Sequence, residues 1–300
     1  MSALPAWVDP DLYPFAAHSF DAGPGRMHYV DEGAGRPVVF VHGGPTWSFL
    51  WRASILALRG RFRCIAPDLL GFGLSEQPAA FSYHPREQAR CLALLLDRLD
   101  VRDATLVVHD WGGPIGLAWA LGHPERVRSL VLFNTWLWSV RGTARGELTG
   151  RLFASHLWAW LERRHSFSTR FFLPGVMGDR RTLGAAVHRH YLEPFRAPRS
   201  REPNVALWRE IRGASEWLDE LWEGRAALAT KPALVVWGLA DRAFTRADLE
   251  RWRKGLPAAQ VETFPRAGHF VQEEEPEAAV GLLERFVGSG APARQGSSPG

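Results

Sequence analysis

The stretch TLVVHDWGGPIG, residues 105–116, puts a carboxylate where many chains carry a hydroxyl nucleophile. It reads as a buried strand, a sharp turn and a helix, with Asp110 at the tip and Trp111 directly behind it. The frame Val108-His109-Asp110-Trp111-Gly112 overlays the nucleophile elbow G-x-S-x-G, with aspartate for serine. A carboxylate needs no proton removed before it attacks. It can displace a leaving group from an sp3 carbon in line and become an ester. Two further candidates follow downstream: Asp241 ends ALVVWGLAD, and His269 follows VETFPRAG. Each alone has an ordinary reading, a strand-end Asp as a helix cap and a His as a core or surface residue. Three in the order nucleophile, acid, histidine, the first in an elbow, point to catalysis. His269 would act on the water that opens the ester, and Asp241 would orient the imidazole and stabilise its charged form.

A fourth element is FVHGGPTWSFLWR, residues 40–52. His42-Gly43 ends a strand, and the loop after it can turn the Gly44 N–H into the site. The Trp111 N–H, just past the nucleophile, would be a second donor, and two converging backbone donors stabilise a negative oxygen. Read alone, Gly43-Gly44-Pro45 is only a turn.

The elements that must hold these residues alternate. RMHYVDEG, PVVFVHG, RCIAPDLLGFG, TLVVHD, VRSLVLFNT and PALVVWGLAD read as strands, several of them continuous apolar runs of the kind buried on both faces. Between them lie helical patterns: Leu92, Leu95, Leu96 and Leu99 share a face with the polar Gln88, and Ala279, Leu282, Leu283 and Phe286 repeat the spacing. Such alternation predicts a mostly parallel sheet covered on both sides. It breaks at 136–225, where helix-like stretches and Pro-rich breaks replace strands. The expected organisation is a core from 1–135 and 226–287, a helical cap over the strand ends at 136–225, and a Gly/Ser/Pro-rich disordered tail at 288–300.

Composition narrows the classes. The 300 residues are 46% hydrophobic and 23% charged, as in a globular protein with a full core. No apolar run reaches the roughly 18 residues of a membrane span, and the N-terminus lacks the basic start and apolar stretch of a signal peptide. The net charge of +4 comes mostly from arginines that form no compact run and no nucleic-acid motif. Neither a membrane nor a nucleic acid is expected as a partner. Cys64 and Cys91 are expected as buried free thiols, without the spacing of a metal site, and a cytoplasmic address follows.

From DLYPF to AGHFVQEEEP the chain resembles the haloalkane dehalogenases of the α/β-hydrolase superfamily. The resemblance rests on RMHYVDEG, HGGPTWSFLWR, APDLLGFGLSEQP, HDWGGPIGLAWALGHPERV, LFNTWLWS, WGLADRAF and GHFVQEE. It implies the α/β-hydrolase fold, with an eight-stranded sheet and an inserted cap. The implied reaction takes a small apolar haloalkane to a primary alcohol and a halide ion, through an alkyl ester on Asp110, with neither metal nor organic cofactor. Some members carry the triad acid after the strand VRSLVLFN; here that position is Asn134, an amide, which leaves Asp241 as the acid. Trp111 Nε1–H would hold the departing halide, a charge-assisted bond contributing roughly 1.5–3 kcal/mol, or on the order of 10–100-fold in rate. The bland reading of Trp111 is packing beside the elbow. Many members supply a second donor from an Asn directly after His-Gly, where this chain has Gly44; others use a cap tryptophan, for which Trp136, Trp138, Trp158 and Trp160 are candidates.

Epoxide hydrolases share the Asp nucleophile and the His but need a pair of cap tyrosines, and only Tyr191 lies in the insertion. A fluoroacetate-type enzyme would carry Arg at position 111. Ester hydrolysis would pass through an anhydride. A non-catalytic ligand-binding homologue is the reading from another class.

Overall fold

In the computed structural model, which describes residues 4–142 and 144–289, every strand-like run of the sequence lies in one sheet. The strands are β1 (His18–Asp21), β2 (Arg26–Glu32), β3 (Pro37–Val41), β4 (Arg63–Pro67), β5 (Ala104–His109), β6 (Val127–Phe133), β7 (Ala233–Gly238) and β8 (Gln260–Phe264). Their order across the sheet is β1-β2-β4-β3-β5-β6-β7-β8. β2 runs antiparallel to β1 and β4, and β3 through β8 pair in parallel. This is the mostly parallel sheet that the alternation predicts, with the eight strands that the resemblance implies.

The apolar strands feed two cores because successive side chains leave a strand on opposite faces. Val39 and Val41 of β3, Leu106 and Val108 of β5, and Val235 and Trp237 of β7 enter one cluster. Val38, Phe40, Val107, Leu234 and Val236, one residue out of phase, enter the other. Helix Pro85–Arg98 turns Gln88 inward with its leucines; the amide is satisfied by the Leu70 backbone, accepting from N at 3.1 Å and donating to O at 2.8 Å. Cys64 and Cys91 are buried free thiols.

Between β6 and β7 the described residues form helices and turns and add nothing to the sheet. Helix Glu202–Gly213 packs on helices Ala144–Phe153 and His156–His165, while helix Ser215–Gly224 packs on helix Gly112–Gly122 beside the sheet. Helix Pro276–Gly288 is the last described element and reaches the start of the expected tail, of which residues 290–300 lie outside the described residues.

Candidate active site

The carboxyl ends of β3, β5 and β7 converge on one point because these strands are neighbours or near neighbours and run the same way. β5 ends at His109, and Asp110 takes a left-handed backbone, φ 51°, before helix Gly112–Gly122 begins. That conformation is unfavourable for a residue with a Cβ, and the surroundings hold it. Asp110 N donates to Asn134 O at 3.2 Å, and Asp110 O accepts from Gly113 N at 2.9 Å and Thr135 Oγ1 at 2.6 Å. The turn leaves no space behind it: a Cβ on Gly112 would fall 2.1 Å from Val41 O.

The loop after β3 comes just as close. A Cβ on Gly43 would fall 2.2 Å from Asp110 Oδ1 and 2.6 Å from Trp111 N. Gly44 N donates to Asp110 Oδ1 at 3.0 Å. One carboxylate oxygen is thus held by the backbone, while the other, Oδ2, lies 3.6 Å from His269 Nε2. His269 Nδ1 in turn donates to Asp241 Oδ2 at 2.8 Å. The His269 side chain is 1% exposed and that of Asp241 0%, whereas Asp110 keeps 14%. Burial works against a charged imidazole, but Asp241 and Asp110 outweigh it and push His269 up to about 10. The three residues picked from separate motifs therefore stand in one line, His269 hydrogen-bonded to Asp241 and within ion-pair distance of Asp110.

Asn134 sits at the end of β6 and does more than fail to be an acid. Its Nδ2 donates to Asp241 Oδ2 at 2.8 Å, and its Oδ1 accepts from Gly238 N at 2.9 Å. It ties the β6 end to the β7 end and fixes the Asp241 carboxylate. His109, the residue before the nucleophile, donates from Nε2 to His269 O at 2.9 Å, and burial holds its imidazole well below the usual range, so it stays neutral.

Asp110 and Trp111 face a cavity of about 770 Å3 walled by Trp136, Trp158, Phe167 and Phe172. Of the four candidate tryptophans, Trp136 and Trp158 line it and carry buried indole N–H groups with no partner. The Trp136 ring stands edge-on to Trp111 at 4.6 Å. Trp138 also lines the cavity and packs edge-on to Trp222 and Trp252. Trp160 is not among the lining residues and is 54% exposed. Trp208, which the sequence did not single out, lines the wall but donates its N–H to Ser168 Oγ at 2.7 Å. Tyr191 is not among the lining residues; it is buried, with its hydroxyl on Glu273.

One residue behind the wall, buried against the lining residues Ser168 and Asn204, had no sequence signal. Glu162, fully buried, accepts from Ser168 N at 2.8 Å and Ser168 Oγ at 2.6 Å, and from Asn204 Nδ2 at 3.2 Å. It joins helix His156–His165 to helix Glu202–Gly213 through Asn204, which faces the cavity.

Comparison with known proteins agrees with this geometry. The profile of the alpha/beta hydrolase fold family matches residues 36–276. Haloalkane dehalogenase 2 of Mycobacterium tuberculosis is 39% identical over 291 residues, covering 93% of this chain and 97% of its own. A cis-3-alkyl-4-alkyloxetan-2-one decarboxylase of Shewanella oneidensis is 32% identical over 297 residues, covering 92% of this chain and 89% of its own. The crystal structure of the haloalkane dehalogenase DatA from Agrobacterium tumefaciens superimposes with a TM-score of 0.82 at 27% identity, covering 95% of this chain and all of that one. With its elbow, its line of acid and histidine, and a dehalogenase 39% identical over nearly its whole length, the chain belongs to the α/β-hydrolase fold family and, within it, to the haloalkane dehalogenases.

Proposed function

We propose that the protein hydrolyses the carbon–halogen bond of apolar haloalkanes through an alkyl ester on Asp110. The observation that carries the reading is the division of labour on one carboxylate. Oδ1 rests on Gly44 N, and Oδ2 lies 3.6 Å from His269 Nε2. Oδ2 attacks the carbon, and the halide leaves toward Trp111 Nε1–H, a donor with no acceptor to compete. Trp136, with an unspent N–H beside Trp111, is the second donor in place of the side chain that Gly44 lacks. Oδ1 becomes the ester carbonyl oxygen, already held by Gly44 N–H, with the Trp111 backbone N–H as the proposed second donor. Esterification also removes the Asp110 charge that helps keep His269 protonated, so the imidazole gives its proton to solvent, balancing the departing halide, and becomes a base for water. Hydrolysis then places negative charge on Oδ1, against those same donors. Asp241, fixed by Asn134, holds the imidazolium that results. The residues 136–225 act as the cap that keeps water and halide apart, on a core formed by the rest. A reducing cytoplasm is the proposed address, consistent with two free thiols; cell fractionation with an antibody checks it.

The test separates the two steps. Asp110→Ala should release no halide from a bromoalkane. His269→Phe should release at most one equivalent and gain the alkyl mass on Asp110, seen by intact-protein and peptide mass spectrometry. A His269→Phe protein that turns over repeatedly without gaining mass would overturn the assignment.

One observation favours a second reading of the same site. A relative nearly as well covered is named for an oxetan-2-one with two alkyl arms, and a cavity of about 770 Å3 is ample for such a molecule. Incubation with a cis-3,4-dialkyl oxetan-2-one decides it: alkene and CO2 support that reaction, and unchanged lactone excludes it. No tyrosine lines the cavity among the described residues, which argues against epoxide opening.

A further inference from the structure

Large apolar side chains exposed to solvent are unevenly spread over this protein. Of seven among the described residues, five lie in one stretch of the insertion: Leu148, Leu152, Leu157, Trp160 and Phe171. Leu148 and Leu152 are four apart on helix Ala144–Phe153, and Leu157 and Trp160 three apart on helix His156–His165, so each pair shares a helix face. Leu148 is 71% exposed and Leu157 61%, far beyond a grazing contact with water. The opposite side of the same stretch is already used: Phe153, Trp158 and Phe167 line the reaction cavity. Phe171 belongs to both sides, lining the cavity while 56% exposed, so the cavity reaches the surface beside the apolar face.

Cations flank this face. Trp160 shares a shallow hollow of about 450 Å3 with Arg163, Arg164, Arg170 and Arg201. Arg163 is engaged by Glu202, and Arg201 by the carbonyls of Phe195, Arg163 and Arg196. Arg164 and Arg170 are exposed and make no ion pair among the described residues. The only acids from 144 to 171 are Glu162, which is buried, and Glu147, which faces Arg151 and Arg212. The surface is therefore apolar at its centre and positive at its edge.

We propose that this face docks the protein on an anionic lipid surface, with Leu157, Trp160 and Phe171 at the acyl boundary and Arg164 and Arg170 on the phosphates. Leucine and tryptophan flanked by arginine are the side chains that lie in a bilayer interface, and guanidinium groups are drawn to an anionic leaflet. Among the described residues no helix is long and apolar enough to cross a membrane. The expectation of no membrane partner rests on that absence, which concerns spans and not surfaces. Docking here brings the cavity mouth to the phase in which apolar halides concentrate. The inference goes beyond the dehalogenase reading, and its readout does not depend on activity.

Co-sedimentation of the full chain with vesicles tests it. The protein should pellet with phosphatidylglycerol/phosphatidylcholine vesicles, much less with phosphatidylcholine alone, and less in high salt. Leu157→Glu/Trp160→Glu and, separately, Arg164→Glu/Arg170→Glu should each weaken binding by roughly tenfold or more. Leu94→Glu, on exposed surface of helix Pro85–Arg98, should bind like wild type. Circular dichroism and halide release from a water-miscible bromoalcohol confirm that the variants are folded. Equal pelleting of wild type and both double variants, or none with either lipid, overturns the proposal. So does a dimer in light scattering that Leu157→Glu/Trp160→Glu dissociates while vesicles capture nothing, which would make the face a contact between copies.

Discussion

Gly44 keeps the backbone donor of the site and gives up a side-chain one. On the proposed mechanism halide departure leans on Trp111 and Trp136, and the first step should depend heavily on the leaving group. Bromides and iodides should react much faster than the matching chlorides in single-turnover measurements, which chemistry rather than product release controls. Trp111→Phe and Trp136→Phe should each widen the gap. Gly44→Asn should narrow it, the restored donor contributing roughly 1.5–3 kcal/mol to the transition state. A Cβ at position 44 would meet Leu207 Cδ1 at 3.1 Å, the end of a flexible side chain, so the change is best paired with Leu207→Ala. Equal chloride and bromide rates in wild type, untouched by either Trp change, would remove the indoles from the halide site. The residue types at this site were readable because their chemistry is uncommon at an elbow. Asn134 was readable only as a missing acid. Its positive role needs the β6 and β7 ends side by side, which spacing along the chain does not contain.

At the scale of elements, the cavity wall depends on how the helices of the insertion are tied together. Glu162 is the knot: burial raises its carboxyl above the usual range, yet it accepts bonds from Ser168 and from Asn204 across the helix pair. Glu162→Leu would leave buried donors on both partners without an acceptor. At about 1–3 kcal/mol for each orphaned group, partly offset because no carboxylate need be desolvated, we expect a loss of about 2–4 kcal/mol in urea unfolding. Glu162→Gln keeps an acceptor and should lose less. Wild-type stability in Glu162→Leu would show that the network only fills space. The strands were legible as elements because continuous apolar runs fit a two-sided sheet. The edge strands were not: β1 has four residues with alternate exposure, and β8 is largely exposed, so neither presents a buried run.

For the whole molecule, the buried His269 imidazole links stability to pH. His269 is pushed from an ordinary value near 6.5 up to about 10, because Asp241 and Asp110 overcome the cost of burial. A raised histidine stabilises the fold fully below its unfolded pKa and loses that contribution as pH rises through the folded one. The unfolding free energy should therefore decline between pH about 6.5 and about 10. The decline should be smaller in His269→Phe. Equal slopes in the two proteins would mean that His269 is not held charged. The same charges set the chemistry: the alkyl-enzyme should accumulate as pH falls, since ester hydrolysis needs the neutral imidazole. Rapid-quench mass spectrometry across pH reads this directly.

The sequence by itself determined the inner strands and the helices between them, the elbow, the stretch without strands, and the three residues proposed as a triad. Each of these is written in local pattern: periodicity two or about 3.6, turn residues, and uncommon side chains at strand ends. Tertiary structure alone decided which tryptophan N–H groups remain unspent at the cavity, that Glu162 rather than a visible motif braces the wall, and that the outer face of the insertion is both apolar and cationic. Helical spacing tells which residues share a face but not which face meets water. That is settled only when the helices of the insertion choose their partners over the strand ends.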